Sequence, residues 1–506
     1  MRFTVERQQI SHVNIDIPPE LLANIFRQLV SPGDLRLSRH GYFLDIRDFR
    51  GASTADIRRL RLVCRAFNFA ASPFLIPTVF LSSSQRDMEV LTAVSEHPVF
   101  SKHVNELVYD CRMFDQALTT DKQSYVEELR RLPLYAFSEE TLLTKALAKE
   151  SFQAYGKFYR QQKECREARL DMQCLVEAFP KMPRLAHICI RGRSRTRFIP
   201  VNRNLVHRPD RRVTELTMIP PQARVLWRRD ERTRAHNEAC HRGILDFLTT
   251  VSCANIARQI RSLSVGHPTD QEELRLSSEL FGSEVESVGR CGRLFEHLKR
   301  IQLTVRIGVD QDDAWVAVPQ QNIQDDYLEC QARLRWALGF ARGLKYLSLN
   351  FRCAYRRPGN DVQLNHIFGK SVRILVENGI WTDLAIDKLS FPRLYDLKLT
   401  SVRCMQSTVL DFLERHQGVL KRLSLNDVFF MDGTWIAFID KLKEMNLQLE
   451  TCKLGLRHRA ELDHGHPRYI PTGAVIDYLN GGGPHPLEDI TVDDLVSADT
   501  EVPDAV

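Results

Sequence analysis

The side chains best suited to chemistry are few and scattered. His458, His464 and His466 cluster in a stretch that also holds glycine and proline. Imidazoles bind metals, but a site also needs cysteine or carboxylate ligands at set spacings. No set of cysteines or carboxylates at such spacings accompanies them, so a polar turn is expected. Cys240 and His241, with His236 nearby, pair a nucleophile with a base by type. Helical neighbours one apart do not face each other, so the pair is not expected to act together. The sequence has no phosphate-cradling glycine loop, no Gly-x-Ser-x-Gly elbow and no His-Glu-x-x-His. The expectation is a chain with no catalytic residue, no metal and no cofactor.

The third chemical feature is charge. From Arg191 to Arg234 the chain reads RGRSRTRF, then RPDRR, then PPQARVLWRRDERTR. Such a run suits a polyanion or a nuclear-localisation segment, but more often it is a solvated loop. Only Phe198 and Trp227 interrupt it with aromatic rings, which is thin for stacking bases. A nucleic-acid partner is therefore not expected. The whole chain of 506 residues has a net charge of only +6, with 43% hydrophobic and 26% charged residues. That is an ordinary globular composition, long enough for more than one domain. The first residues are polar, unlike a signal peptide, and no apolar run reaches the length of a membrane span. The 12 cysteines form no Cys-x-x-Cys pair, so a reducing compartment, cytoplasm or nucleus, is expected.

What remains is binding, and the elements that would support it begin at Ile15. Pro18 and Pro19 suit a first helical turn. Glu20 places negative charge at the positive end of the helix dipole. Leu21, Leu22, Ile25, Phe26 and Leu29 then recur at helical spacing. Ser31, Pro32 and Gly33 stop the pattern. A second helix is expected over Asp56 to Leu75, with Leu60, Val63, Cys64, Phe67 and Ala71 as its stripe. So small a helical module hides too little apolar surface to stand comfortably alone. Part of that surface calls for a partner's groove.

Here the sequence resembles the F-box, the adaptor-binding motif of ubiquitin-ligase receptors. The matching residues are Ile17-Pro18-Pro19-Glu20-Leu21-Leu22, Ile25-Phe26, Leu29, Asp56-Ile57 and Leu60-Arg61-Leu62-Val63-Cys64-Arg65-Ala66-Phe67. The family joins its helices by a short turn, whereas residues 31–55 are inserted here. The resemblance implies that an SCF adaptor subunit, and through it a cullin, docks on Pro18, Leu21, Leu22, Ile25, Phe26, Leu62, Val63 and Phe67.

Beyond residue 76 a short phrase recurs, Leu-x-x-Leu-x-Leu in its clearest form. It appears at Val104–Tyr109, Leu185–Ile190, Ile260–Val265, Leu298–Leu303, Leu344–Asn350, Leu394–Leu399, Leu420–Asn426 and Leu449–Leu454, and faintly at Leu487–Val492. Helical patterns lie between, plainest at Val409–Leu413 and Trp435–Leu442, and also over Ile244–Ile260 and Tyr327–Ala341. A strand, a turn and a helix, repeated, is the unit of a leucine-rich-repeat solenoid. The last clear units are 26–29 residues apart, and earlier ones are further apart. Tyr125–Leu132, Thr141–Phe158 and Arg160–Phe179 read as a helical insertion, with Cys165, Leu170, Cys174, Leu175 and Ala178 inward.

The expected fold class is α/β. Residues 1–14 form a tail and 15–76 an N-terminal helical F-box. An irregular leucine-rich-repeat-like solenoid spans 77–480, with a helical insertion at about 115–180 and the Arg-rich loop at 191–234. An acidic flexible tail covers 481–506. Alternation along a strand sends its intervening residues to the outer wall. That places Tyr346, Ser348 and Asn350 beside Asp396, Lys398 and Thr400, then Arg422, Ser424 and Asn426, as a candidate surface for a protein target. The arrangement resembles fungal F-box proteins and implies a non-catalytic substrate receptor of an SCF-type, cullin-RING ubiquitin ligase. Two other readings stay open. One is an F-box scaffold that directs no degradation. The other is a nucleic-acid-associated protein using the Arg-rich loop.

Overall fold

The computed structural model describes residues 18–30, 54–111, 113–130, 145–191, 231–254, 257–265, 285–307, 334–353, 367–368, 371–376, 380–385, 389–456 and 468–488. Their architecture is mixed α/β, built on one ten-stranded sheet with nine parallel strands.

The chain opens with three short helices: α1 (Pro19–Val30), α2 (Thr54–Leu60) and α3 (Arg65–Ala71). The helix expected across Asp56–Leu75 is broken. Leu62 N–H donates to the Arg59 carbonyl at 3.0 Å and Val63 N–H to that of Leu60 at 3.2 Å. These tight turns end α2, and Cys64 in extended backbone starts α3. Residues 31–53, which hold most of the insertion, lie outside the described residues.

The sheet follows. Its parallel strands are β1 (Thr78–Ser82), β2 (Glu106–Asp110), β3 (His187–Arg191), β4 (Ser262–Val265), β5 (Arg300–Ile307) and β6 (Tyr346–Cys353). Then come β9 (Asp396–Cys404), β10 (Arg422–Phe430) and β11 (Thr451–Leu456), neighbours in chain order. Between β6 and β9, β7 (Ser371–Val376) and β8 (Ile380–Ala385) form a separate antiparallel pair. The short β12 (Arg468–Ile470) closes the large sheet antiparallel to β11. The sequence patterns did not suggest β7, β8 or β12.

Parallel neighbours require crossovers, and among the described residues helices supply most of them. They are α4 (Gln85–Glu96), α8 (Leu170–Ala178), α9 (Glu231–Cys253), α10 (Val285–His297), residues 334–339, α11 (Gln406–Arg415) and α12 (Trp435–Glu444), with α13 (Thr472–Leu479) after β12. The Leu, Ile and Val side chains of each strand join those of the helices in one continuous core running from Val79 to Leu479. Successive units are locked in step by backbone bonds just ahead of each strand. Arg261 N–H donates to the Ala186 carbonyl, Lys299 to Arg261 and Lys345 to Lys299, each at 2.8 Å. Ser401 and Asp427 repeat a kink in β9 and β10. Both have left-handed φ, and Ser401 Oγ donates to Asp427 Oδ2 at 2.7 Å.

The helical insertion is smaller than expected. It comprises α5 (Ala117–Thr120), α6 (Lys122–Arg130) and α7 (Lys145–Glu167). Phe114, Leu118, Tyr125 and Tyr155 give it a core of its own. The chain turns at Arg169, which has left-handed φ, and α8 packs on the main core instead. There Leu175 and Ala178 are buried as expected and Cys174 is half-buried. Leu170, expected inward, is exposed because it opens α8 at that turn.

Two expected segment ends also shift. Residues 231–234 belong to α9, so the Arg-rich loop ends sooner; residues 192–230 lie outside the described residues. Residues 481–488, placed with the tail, fold back so that Leu487 packs against the core. Leu487 and Glu488 form a turn there, while residues 489–506 lie outside the described residues.

Candidate functional sites

The first candidate surface is the N-terminal helical group. Its inward side chains form a small closed core, separate from that of the sheet: Leu22, Phe26, Ile57, Ala70 and Ala71. Phe26 meets the half-buried Phe67 edge to face at 5.6 Å. The two alanines give Phe26 room to seat. Arg61 Nε donates to Asn68 Oδ1 at 2.9 Å, and Ser72 Oγ to the Asn68 carbonyl at 2.6 Å, fixing the turn against α3.

The outward side chains are large and apolar. Leu62 is 85% exposed, Val63 63%, Leu21 55% and Ile25 49%. Pro18 is exposed at the head of α1, where its carbonyl accepts the Leu22 N–H at 3.1 Å. The eight expected docking residues therefore divide. Leu22 and Phe26 hold the module together, with Phe67 against them. Pro18, Leu21, Ile25, Leu62 and Val63 face outward. Phe69, at 76% exposure, was not singled out by sequence reasoning. Its signal was an apolar residue falling off the helical stripe. Exposed Arg58, Arg59 and Arg65 lie on the same helices.

The second candidate surface is the face of the sheet away from the helices. Register puts the expected residues in rows. Tyr346, Asp396 and Arg422 pair across β6, β9 and β10; so do Ser348, Lys398 and Ser424, and Asn350, Thr400 and Asn426. The rows are as expected, but their exposure is not. Ser348 and Asn350 are buried, and the other seven are half-buried. Burial raises the Asp396 carboxyl pKa against the opposing pull of Arg422 and Arg300. It lowers that of the Lys398 ammonium, aided by Lys453 and opposed by Asp396. Thr304 Oγ1, Asn350 Oδ1 and Thr400 Oγ1, adjacent in register, are buried with no hydrogen-bond partner among the described residues. Buried polar atoms normally find a partner, so this row of three is an exception within the sheet. Thr304 was missed because its own strand phrase, Leu298–Leu303, ends one residue earlier.

The other candidates give little. His458, His464 and His466 lie outside the described residues. His236, Cys240 and His241 fall on α9, where consecutive positions do not face each other. Among the described residues no three His, Cys, Asp or Glu side chains group as metal ligands, and no helix is long and apolar enough to cross a membrane.

No family model matches the sequence, and no curated protein is significantly similar to it.

Proposed function

We propose that this chain is a substrate receptor of an SCF-type, cullin-RING ubiquitin ligase. Residues 15–76 act as the F-box that holds the adaptor. The leucine-rich-repeat-like domain over 77–480 holds a protein target. The observation that supports this most is the division of the N-terminal helices. Their own core is complete without Leu21, Ile25, Leu62 and Val63, which remain in water. Apolar side chains exposed on a short helix and on a neighbouring interhelical turn suit docking into a partner's groove. The chain then contributes proximity alone: it raises the effective concentration of a target lysine near an enzyme already charged with ubiquitin. It carries no catalytic residue and no cofactor, and it works inside the cell, in cytoplasm or nucleus.

The test is co-purification with the adaptor, wild type beside a Leu62→Asp, Val63→Asp double variant. Covering one such side chain is worth about 1.5–3 kcal/mol. Losing both, and placing carboxylates against an apolar groove, should weaken binding by at least two orders of magnitude. Both residues are exposed, so stability should change by no more than about 0.5 kcal/mol each. Phe26→Ala is the contrast: it removes a core ring and should cost about 3–5 kcal/mol. Full adaptor recovery by a folded double variant would defeat the proposal.

A further inference from the structure

The strands begin on a ridge of cations. Just ahead of β4, β5, β6 and β10 stand Arg261, Lys299, Lys345 and Lys421, with Tyr395 ahead of β9. The backbone ladder places these in one line: Tyr395 N–H donates to the Lys345 carbonyl and Lys421 N–H to that of Tyr395, both at 2.9 Å. The first strand residues add Arg300 and Arg422 in the adjoining row, where Asp396 is the one carboxylate between β4 and β10; Arg422 Nε also lies 3.7 Å from Glu450 Oε2. Arg261, Lys299 and Lys345 are exposed and Lys421 half-buried. Among the described residues none of the three lysines has an ion-pair partner. Neighbouring strands are about 4.8 Å apart, so the line from β4 to β10 spans roughly 19 Å. An extended polypeptide covers that in about six residues.

Two details favour a polypeptide over a nucleic acid. Base stacking needs open ring faces. Here the Arg300 guanidinium lies 4.5 Å from the centre of the Tyr346 ring, and that of Arg422 lies 5.2 Å from Tyr395. Both rings are already engaged. Asp396, and Glu450 accepting the Tyr395 hydroxyl at 2.5 Å, also break the positive field toward β11. A uniform row of phosphates would meet them, whereas a peptide can set an uncharged residue there.

We propose that this ridge binds an extended acidic segment of a partner protein, with Asp or Glu side chains set against Arg261, Lys299, Lys345 and Lys421. This rests on the sheet domain being the target-holding part and names the chemistry of the target; it does not depend on the N-terminal helices.

The test uses the full chain and a fluorescent peptide alternating Glu and Ser, read by anisotropy. A Gln-for-Glu peptide and labelled oligothymidine serve as comparisons. The Glu peptide should bind roughly tenfold or more tightly than the Gln peptide, and weaken as salt rises. A Lys299→Glu, Lys345→Glu, Lys421→Glu variant should lose roughly tenfold or more of that affinity while keeping its melting temperature and its adaptor binding. The Leu62→Asp, Val63→Asp variant should hold the Glu peptide like wild type, which separates failure here from failure of the adaptor assignment. No binding of the Glu peptide overturns the proposal. So does equal binding of the Gln peptide, equal binding by the folded triple variant, or tighter binding of oligothymidine.

Discussion

A buried ion pair fastens the helical insertion to the sheet, and Gly243 makes room for it. Arg166, near the end of α7, has a side chain 14% exposed, and Asp171 on α8 has one 2% exposed. Their charged atoms approach to 3.9 Å. Ser83 stands between them: its Oγ donates to Asp171 Oδ2 at 2.7 Å and accepts from Arg166 Nε. Tyr109 Oη also donates to Asp171 Oδ2, at 3.3 Å, and Arg166 donates to the Cys111 carbonyl at 3.2 Å. The pair thus joins α7 and α8 to the end of β1 and to β2. A Cβ at Gly243 on α9 would fall 1.7 Å from Arg166 Nη1 and 2.7 Å from Cζ. Gly243→Ala must therefore push the guanidinium off its partners. Removing one member of a buried pair costs about 3–5 kcal/mol. Asp171 keeps three donors, Ser83, Tyr109 and the Met172 N–H, which argues for the lower end, about 3 kcal/mol for Arg166→Leu. Alanine gains about 1 kcal/mol of helix propensity over glycine. The expected net loss for Gly243→Ala is then roughly 2 kcal/mol.

The sharper expectation concerns the double variant. Both changes remove the same contact, so their costs should not add. With Leu at 166 the obstacle is gone and only the helix gain remains. Arg166→Leu, Gly243→Ala should thus be about 1 kcal/mol more stable than Arg166→Leu alone. Urea unfolding of the three variants beside wild type reads this directly. Additive losses, or a Gly243→Ala variant as stable as wild type, would refute the account of the glycine.

Two further predictions concern titration and reactivity. His416 is buried; its Nε2 accepts the Phe391 N–H at 2.9 Å, and its Nδ1 lies 2.6 Å from the Phe412 carbonyl. Burial, with Arg415 adding, depresses its pKa below 6.5, against the opposing carbonyl. The unfolded chain binds that proton first, so this stability is present above about pH 6.5 and is lost as pH falls through the folded value. A His416→Gln variant should show a flatter stability profile over that window, and an unchanged slope would count against the neutral ring. Burial pushes the Cys291 thiol up to about 11 and that of Cys452 to about 12, whereas Cys64 and Cys253 are exposed. A thiol reagent at mildly alkaline pH should label the exposed pair quickly and Cys452 only on unfolding, because the thiolate is the reactive form. Labelling of native Cys452 as fast as Cys64 would contradict its burial.

The recurring leucine phrase by itself located most of the parallel strands. Side chains alternate along a strand, so Leu347 and Leu349, or Leu423 and Leu425, can only face a core together. Helical spacing found α11 and α12 for the same kind of reason. Adjacent apolar residues defeated this logic: Leu21 beside Leu22 and Ile25 beside Phe26 are equivalent by type. Packing against Ile57, Ala70 and Ala71 takes in Leu22 and Phe26 and leaves Leu21 and Ile25 outside. The break at Leu62 and Val63 came from local turns overriding a helical stripe. The rows Tyr346–Asp396–Arg422 and Ser348–Lys398–Ser424 could be drawn from the sequence, because register follows from the repeat. Their burial, and the line of cations at the strand ends, arise only when strands distant in the chain stack side by side; no single segment contains that information.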